Sequence, residues 1–432
     1  MAKKKQKPKD LVPKTPKSTK LKSSKSRLDL VIQELRRDYG GVIEVGSNIT
    51  PAFEDRLPAQ IFGVNVITGG GIPYNAITEI FGPPATFKST IALGLAKSAQ
   101  QVFGKNCAIA VVSTESAGLD LNWVRHQGVK IPYSDLEIKM FKNLGVVAQE
   151  VDRIVASQEG GGKFILLYGD NAETELNKVK RLLLTGELNL YILDSIGAMV
   201  TDKELAGEHE DVHVALNPKL VNRHCNFLLS LCNRLSRENL KTALVIINQI
   251  RAKIGGWSPT GEATDTPGGY ALKHDKHLAL KTRVASFVTT NKKTWAKQIS
   301  ITVDKSKICV PHRSCQVTYV IRGDNPRGLP IGPDIYSEVT DLAVSSDIFK
   351  YQGNKWFYGD GVLELNGEQV KREDLALILQ TDPDLLKMVQ DDILQAHKAL
   401  EIRGIHKTSL PDPRAKIMDE SLQDRESGEE PE

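Results

Sequence analysis

Short apolar runs alternate with stretches of helical periodicity along most of the chain, and that alternation predicts a parallel sheet covered by helices on both faces. The runs Ala76–Phe81, Ala108–Ser113, Phe164–Tyr168, Leu190–Leu193 and Ala243–Ile247 are β-rich, with helical text at Lys88–Gln101, Glu173–Leu184 and Leu220–Leu235 between them. Continuous apolar runs of this kind are what strands buried on both faces look like. Three later runs, near 279–282, 300–303 and 316–321, follow one another closely and predict strands that extend the sheet antiparallel. Ahead of them, apolar residues at 28, 31, 32 and 35 share a helical face, so a short amphipathic helix is expected over Leu28–Asp38, ending at Gly40-Gly41. Beyond Gly332 the text changes to a smaller α+β unit, with a turn at Gly353-Asn354, an aromatic cluster at Trp356-Phe357-Tyr358 and a helix over Asp382–Leu400. No internal repeat is present.

Composition confirms a globular chain and little more. With 432 residues, 40% of them hydrophobic and 25% charged, the chain can bury one or two sizeable cores. The net charge of +4 is unevenly spread. Residues 1–27 carry ten lysines and Arg27 against Asp10, while residues 419–432 carry seven acids against Arg425, leaving the body between them neutral. Both ends therefore read as charged, unfolded tails. The basic arm has no apolar run behind its lysines, so it is not a secretory signal, and no stretch is apolar enough to span a membrane. Five sparse cysteines, an odd number, fit a reducing compartment, in which the sequon at Asn48 goes unused.

The chemistry concentrates at the ends of the predicted strands. AITEIFGPPATFKSTIALGLAKSAQ reads strand, turn, Lys-Ser, helix, the context in which a loop's backbone N–H groups and a helix N-terminus hold phosphates. Lys88 then reaches the outer phosphates and the Ser89 hydroxyl ligates Mg²⁺, although Phe87 stands where such loops usually have glycine. The strand LNLYILDS ends in Asp194, placed to hold Mg²⁺ through water. AIAVVSTE puts Glu115 just past another strand, where a carboxylate can polarise a water. After the strand that ends in Asn248-Gln249 comes a loop rich in Gly, Ser and Thr that contains Arg251, Lys253 and Trp257 and closes at Gly268-Gly269; cations and a ring on a mobile loop suit single-stranded nucleic acid. Two metal-like patterns are discounted. His209-Glu210-Asp211-Val212-His213 has the zinc-peptidase spacing, but Gly207 and Pro218 and the lack of an apolar stripe argue for an exposed loop, and Cys309, His312 and Cys315 lack a fourth ligand.

At this point the sequence resembles the RecA family of recombinases over roughly residues 28–400. The carrying text is IFGPPATFKST, VVSTESAGLDLNWVRHQGV, LYILDSIGAMVTDKELAGE, VIINQIRAKIG, TPGGYALK and DKSKICVP, in family order. Phe87 makes the phosphate loop similar to the phage (UvsX-like) branch. The resemblance implies a RecA-like P-loop ATPase core with a mostly parallel sheet, a small N-terminal element and an α+β C-terminal domain. It divides the chain into a disordered basic arm (1–27), an N-terminal oligomerisation element (28–60), the ATPase core (61–331), the C-terminal domain (332–415) and an acidic tail (416–432). Residues 134–162 have no partner in the family pattern and are read as an insertion.

For the site, the resemblance implies a loop of Gly82, Pro83, Pro84, Ala85, Thr86 and Phe87, with Lys88, Ser89 and Thr90 on the triphosphate of ATP and its Mg²⁺. Asp194 is implied as the second Mg²⁺ contact and Glu115 as the water-activating glutamate. Asp120 and Trp123 are implied to read adenine, and Gln249 to sense the γ-phosphate. Lys305 and Lys307 are implied to reach the ATP of a neighbouring protomer. Residues 204–219 and 250–273 match the two DNA loops, making Lys219, Arg251, Lys253, Trp257, Gly268, Gly269 and Lys273 the candidate DNA contacts. The implied function is ATP-dependent homologous pairing and strand exchange in a helical homo-oligomer on single-stranded DNA. Double-stranded DNA is a further partner, with single-strand-binding and mediator proteins beside it, in a bacterial cytoplasm and without a membrane. The alternatives are a ring-forming ATPase of helicase or clock type, and a DNA-binding filament protein with weak ATPase.

Overall fold

The computed structural model describes residues 27–39, 55–114, 119–169, 171–200, 216–252, 264–265, 269–365 and 367–402. Two units are present, residues 1–52 and 53–432. The described part of the first is the helix α1 (Arg27–Tyr39), which leaves Leu28, Leu30 and Val31 largely exposed. The expected basic arm and acidic tail lie outside the described residues.

The second unit opens with strand β1 (Arg56–Leu57), helix α2 (Phe62–Thr68) and strand β2 (Ile72–Pro73). The central elements follow: β3 (Ile77–Gly82), α3 (Lys88–Phe103), β4 (Ala108–Ser113), α4 (Leu121–His126), α5 (Asp135–Asn143), α6 (Ala148–Ser157), β5 (Lys163–Tyr168), α7 (Ala172–Leu184), β6 (Leu190–Asp194), α8 (Leu216–Arg237) and β7 (Ala243–Gln249). A short ribbon, β8 (Arg251–Ala252) and β9 (Thr264–Asp265), precedes α9 (Gly269–Asp275) and the strands β10 (Leu278–Thr290), β11 (Lys293–Ser306), β12 (Ser314–Val320) and β13 (Gly332–Pro333).

These strands build a nine-stranded sheet in the order β13-β12-β11-β10-β3-β7-β6-β4-β5. From β10 to β5 all neighbours run parallel, and β11, β12 and β13 add antiparallel. The first of the three late strands therefore joins the parallel sheet beside β3, and the antiparallel extension begins one strand later than its spacing suggested. Period-2 alternation sorts each strand between two cores. Ile109, Val111, Ile192, Val245 and Ile247 pack with Ile91, Leu95 and Ala99 of α3 on one face. Ala110, Val112, Tyr191, Leu193, Leu244 and Ile246 pack with Leu176 and Val179 of α7 and Leu228 and Leu231 of α8 on the other.

A third core lies in the C-terminal region, which comprises α10 (Ile335–Ser345), a small sheet of β14 (Phe349–Gln352), β15 (Lys355–Tyr358) and β16 (Gly361–Val362), a hairpin of β17 (Glu364–Leu365) and β18 (Glu368–Gln369), α11 (Leu375–Thr381) and α12 (Pro383–Ile402). Phe62 and Val66 of α2 are buried with Val339, Leu342, Phe349, Trp356 and Leu379. The junction is also polar: the Glu338 carboxyl accepts hydrogen bonds from the backbone N–H groups of Phe62 (2.9 Å) and Gly63 (2.8 Å), which open α2. The segment read as an insertion forms α5 and α6. Ser134 starts α5 through a capping box with Glu137.

Candidate nucleotide and nucleic-acid site

Six parallel strands place their carboxyl ends on one edge of the sheet, the edge where ligands of open α/β folds bind. β3 leaves it through the turn 82–87 into α3. Gly82 must be glycine here, since a Cβ would lie 2.4 Å from the Thr282 carbonyl oxygen and 2.9 Å from Thr86 Oγ1. Thr86 donates to the Pro83 carbonyl (2.8 Å) and its hydroxyl meets that of Thr282 at 2.8 Å, so the turn is tied both to itself and to β10. Lys88 Nζ donates to the same Pro83 carbonyl (2.7 Å), curling the ammonium back over the loop at the start of α3. Ala85 and Phe87 adopt left-handed backbone angles (φ 58° and 65°), the region in which glycine is ordinarily used.

Phe87 compensates for that conformation with its ring. The ring packs at 4.8 Å from that of Tyr319, and Lys297 Nζ lies 5.4 Å from its centroid. Lys297 stands directly between Phe287 and Tyr319 across the three antiparallel strands, so Phe87 sits on a cross-strand row. The Tyr319 hydroxyl then donates to Gln127 Oε1 (2.7 Å), just beyond α4. Phe87 thereby joins the 82–87 turn to the neighbourhood of Asp120 and Trp123. Asp120 caps α4 by accepting from Asn122 N–H (2.9 Å), and Trp123 is half exposed on that helix.

Ser89 and Asp194 line the same small cavity, about 20 Å³, with Ser113, Leu119 and Ile247. A serine hydroxyl and an aspartate carboxylate are hard oxygen donors of the kind Mg²⁺ takes. The end of β6 is stapled to that of β4: Thr114 N–H donates to the Asp194 carbonyl (2.8 Å), Ser195 N–H to Thr114 Oγ1 (3.0 Å), and that hydroxyl to the Ser195 carbonyl (2.7 Å). The Asp194–Ser195 peptide is cis. Glu115 follows Thr114 but lies outside the described residues.

Gln249 is drawn to the loop by register. It pairs across β7 and β3 with Gly82, and the next N–H, that of Ile250, donates to the Gly82 carbonyl (3.2 Å). The chain then leaves as a two-stranded ribbon in which Arg251 pairs with Asp265 and Ala252 with Thr264. Lys253, Trp257 and Gly268, like residues 204–215, lie outside the described residues, whereas Gly269 opens α9 and Lys273 is half buried within it. Lys219 is exposed near the start of α8.

Lys305 and Lys307 are not at this edge. Lys305 pairs with Ala279, which pairs with Glu79, so it stands at the level of the amino-terminal half of β3. Its Nζ donates to the carbonyls of Lys273 and of His274 (3.2 Å) at the end of α9, where a helix favours cations. Burial, then the neighbouring Lys307 and Lys276, lowers its pKa.

Sequence reasoning missed the row under Phe87, the Thr114 staple and the partners of Arg125. The buried Arg125 guanidinium bonds Glu137 (2.7 and 3.3 Å), Asn122 and two carbonyls, and lies 3.9 Å over the Tyr133 ring. A capping pattern at Ser134-x-x-Glu137 was the readable signal of that arrangement.

A family model described as the RecA N-terminal domain matches residues 26–324. Among similar proteins, Protein RecA of Lactobacillus johnsonii is 26% identical over 387 residues, covering 88% of this chain and 92% of its own length. Protein RecA of Bacillus subtilis is 25% identical over 381 residues, covering 88% and 93%. The Mitochondrial DNA repair protein recA homolog of Dictyostelium discoideum is 28% identical over 370 residues, covering 85% and 70%.

Proposed function

The chain belongs to the RecA family, and from that membership we propose that it is an ATP-dependent DNA recombination and repair protein, acting as a DNA-dependent ATPase that assembles as a filament on single-stranded DNA and exchanges strands with duplex DNA. The observation that carries this reading is the pairing of Gln249 with Gly82: the root of the proposed DNA loop and the first residue of the phosphate loop are directly opposite on adjacent strands.

In this reading the backbone of residues 82–88 and the N-terminus of α3 hold the phosphates of ATP, with Lys88 swinging from the Pro83 carbonyl to the outer ones and Thr90 beside it. Ser89 and Asp194 hold Mg²⁺, which would neutralise charge on the phosphates. Glu115 orients the attacking water, and Asp120 and Trp123 face the base. Gln249 passes the nucleotide state to the ribbon at 251–265, so that ATP and DNA favour the same state and each strengthens the other's binding. Arg251, Lys253, Trp257, Gly268, Gly269, Lys273 and Lys219 contact DNA, holding mainly its backbone while base pairing tests homology.

The placement of Lys305 and Lys307 away from their own chain's phosphate loop supports a site completed by a neighbouring protomer. The division into an N-terminal oligomerisation element, a core over 61–331 and a C-terminal domain from 332 belongs to the same reading, as does the phage-like character of the loop at Phe87. No helix among the described residues is long and apolar enough to cross a membrane.

Electron microscopy with ATP and single-stranded DNA tests the assembly. Helical filaments that disappear in Lys88→Ala support the reading, and isolated closed rings would replace it with the helicase or clock type of ATPase.

A further inference from the structure

One charged cluster in the core takes no part in the site as described. Glu79, in the middle of β3, is completely buried. Its Oε1 accepts a hydrogen bond from Asn248 Nδ2 (2.8 Å), and its Oε2 forms an ion pair with the ammonium of Lys276, itself buried and lying 5.2 Å from the Phe81 ring centroid. Asn248 Oδ1 in turn accepts from the backbone N–H of Gln249 (2.9 Å).

A buried ion pair is a poor way to add stability, because desolvating both charges offsets their attraction and a well-packed apolar pair does as well or better. Its position in the chain suggests what else it does. Asn248 and Gln249 are the root at which the loop 250–268 departs from β7. Lys276 follows α9, the root at which that loop returns, and its own N–H bonds back to Leu272 in that helix (3.2 Å). Glu79 lies three residues before Gly82 on the strand that enters the phosphate loop. One carboxylate therefore grips both roots of the loop from the strand that carries the phosphate site.

We infer that Glu79 is a positioning residue that couples the two roots of the 250–268 loop, Asn248 and Lys276 being its two arms, so that a change at Gln249 reaches the returning root through the core as well as through the loop. The inference rests on the functional reading above. A displacement of the Gln249 backbone moves the Asn248 amide bonded to it, and the carboxylate held between that amide and the Lys276 ammonium cannot shift toward one arm without straining the other. The device is two-armed, and removing either arm should uncouple the loop while leaving the phosphate loop intact.

The test uses the full chain and the double variant Glu79→Gln/Lys276→Met, which replaces the ion pair by neutral groups of similar size. Binding of a fluorescent ATP analogue is expected within about twofold of wild type, while the factor by which single-stranded DNA stimulates ATP hydrolysis falls at least about fivefold, the lower end of typical coupling between sites. Lys276→Arg, which keeps charge and donors, is expected to retain most of the stimulation. If the double variant does not fold, Lys276→Met and Lys276→Arg decide the matter between them: equal stimulation in the two overturns the inference. A folded double variant with wild-type stimulation also overturns it. Hydrolysis by the wild-type chain that ignores DNA refutes instead the functional reading on which the coupling depends.

Discussion

Replacing Glu137 by Gln removes one charge from the contact between α4 and α5 and keeps a side chain able to serve the capping box. The Arg125 guanidinium it faces is almost fully buried, with a side-chain exposure of 5%, against 29% for Glu137. Hydrogen bonding to Arg125 is the main cause that holds the Glu137 carboxyl down at about 2, from an ordinary 4.5. Taken whole, a displacement of that size corresponds to roughly 3 kcal/mol at about 1.36 kcal/mol per pH unit. Glu137 is partly in water, so screening reduces its share to roughly 2 kcal/mol or less. Because the folded-state value is depressed, the stabilisation is complete above pH 4.5 and is lost as pH falls toward 2. Urea unfolding at pH 7 should therefore find Glu137→Gln less stable by about 2 kcal/mol, with the gap to wild type narrowing as the pH is taken from 4.5 to 3. Since α4 carries Asp120 and Trp123, nucleotide affinity should weaken in parallel. Equal stabilities at pH 7, or a gap that does not change with acid, would refute the assignment of Arg125–Glu137 as the tie between α5 and α4.

The Glu338 carboxyl is held up at about 8 by burial, against the opposing pull of the Phe62 and Gly63 N–H groups. A raised acid holds its proton in the folded state between pH 4.5 and 8, so stability should fall as pH rises through that window, and thermal melts of Glu338→Gln should show a flatter dependence there. Phe87→Gly removes a left-handed backbone cost of about 1 kcal/mol but also deletes the ring contacts with Tyr319 and Lys297, together roughly 2 kcal/mol or more. Chemical denaturation is expected to show a net loss of about 1 kcal/mol, and a gain would show that the ring contributes little beyond filling the turn.

Much of the candidate site could be read because it uses short-range signals. The strand, the turn at Gly82 and Lys88-Ser89 are contiguous, and Asp194 ends an apolar run, so the pair lining one cavity was readable from local text. What escaped depends on register. Phe287, Lys297 and Tyr319 become neighbours only when β10, β11 and β12 align, and β10–β11 carries three register shifts that spacing in the chain does not reveal. Glu79 left a fainter trace, an acid within ITEIFG, where a strand buried along its whole length demands a partner. That its partners come from residues 248 and 276 follows from the parallel placement of β7 and of β10 on either side of β3, which the late-strand spacing did not foretell. The burial of Phe62 and Val66 in the C-terminal core was not legible, since seven residues of α2 divide their faces between two cores.

In the proposed function, nucleotide chemistry at 82–89 and DNA at 250–268 are coupled through the end of β7. Phosphate release from ATP and Mg²⁺, measured with and without single-stranded DNA, tests it most directly. Hydrolysis that rises severalfold with DNA and vanishes in Lys88→Ala is the predicted result; full hydrolysis in Lys88→Ala, or a rate in the intact chain that DNA leaves unchanged, would contradict it.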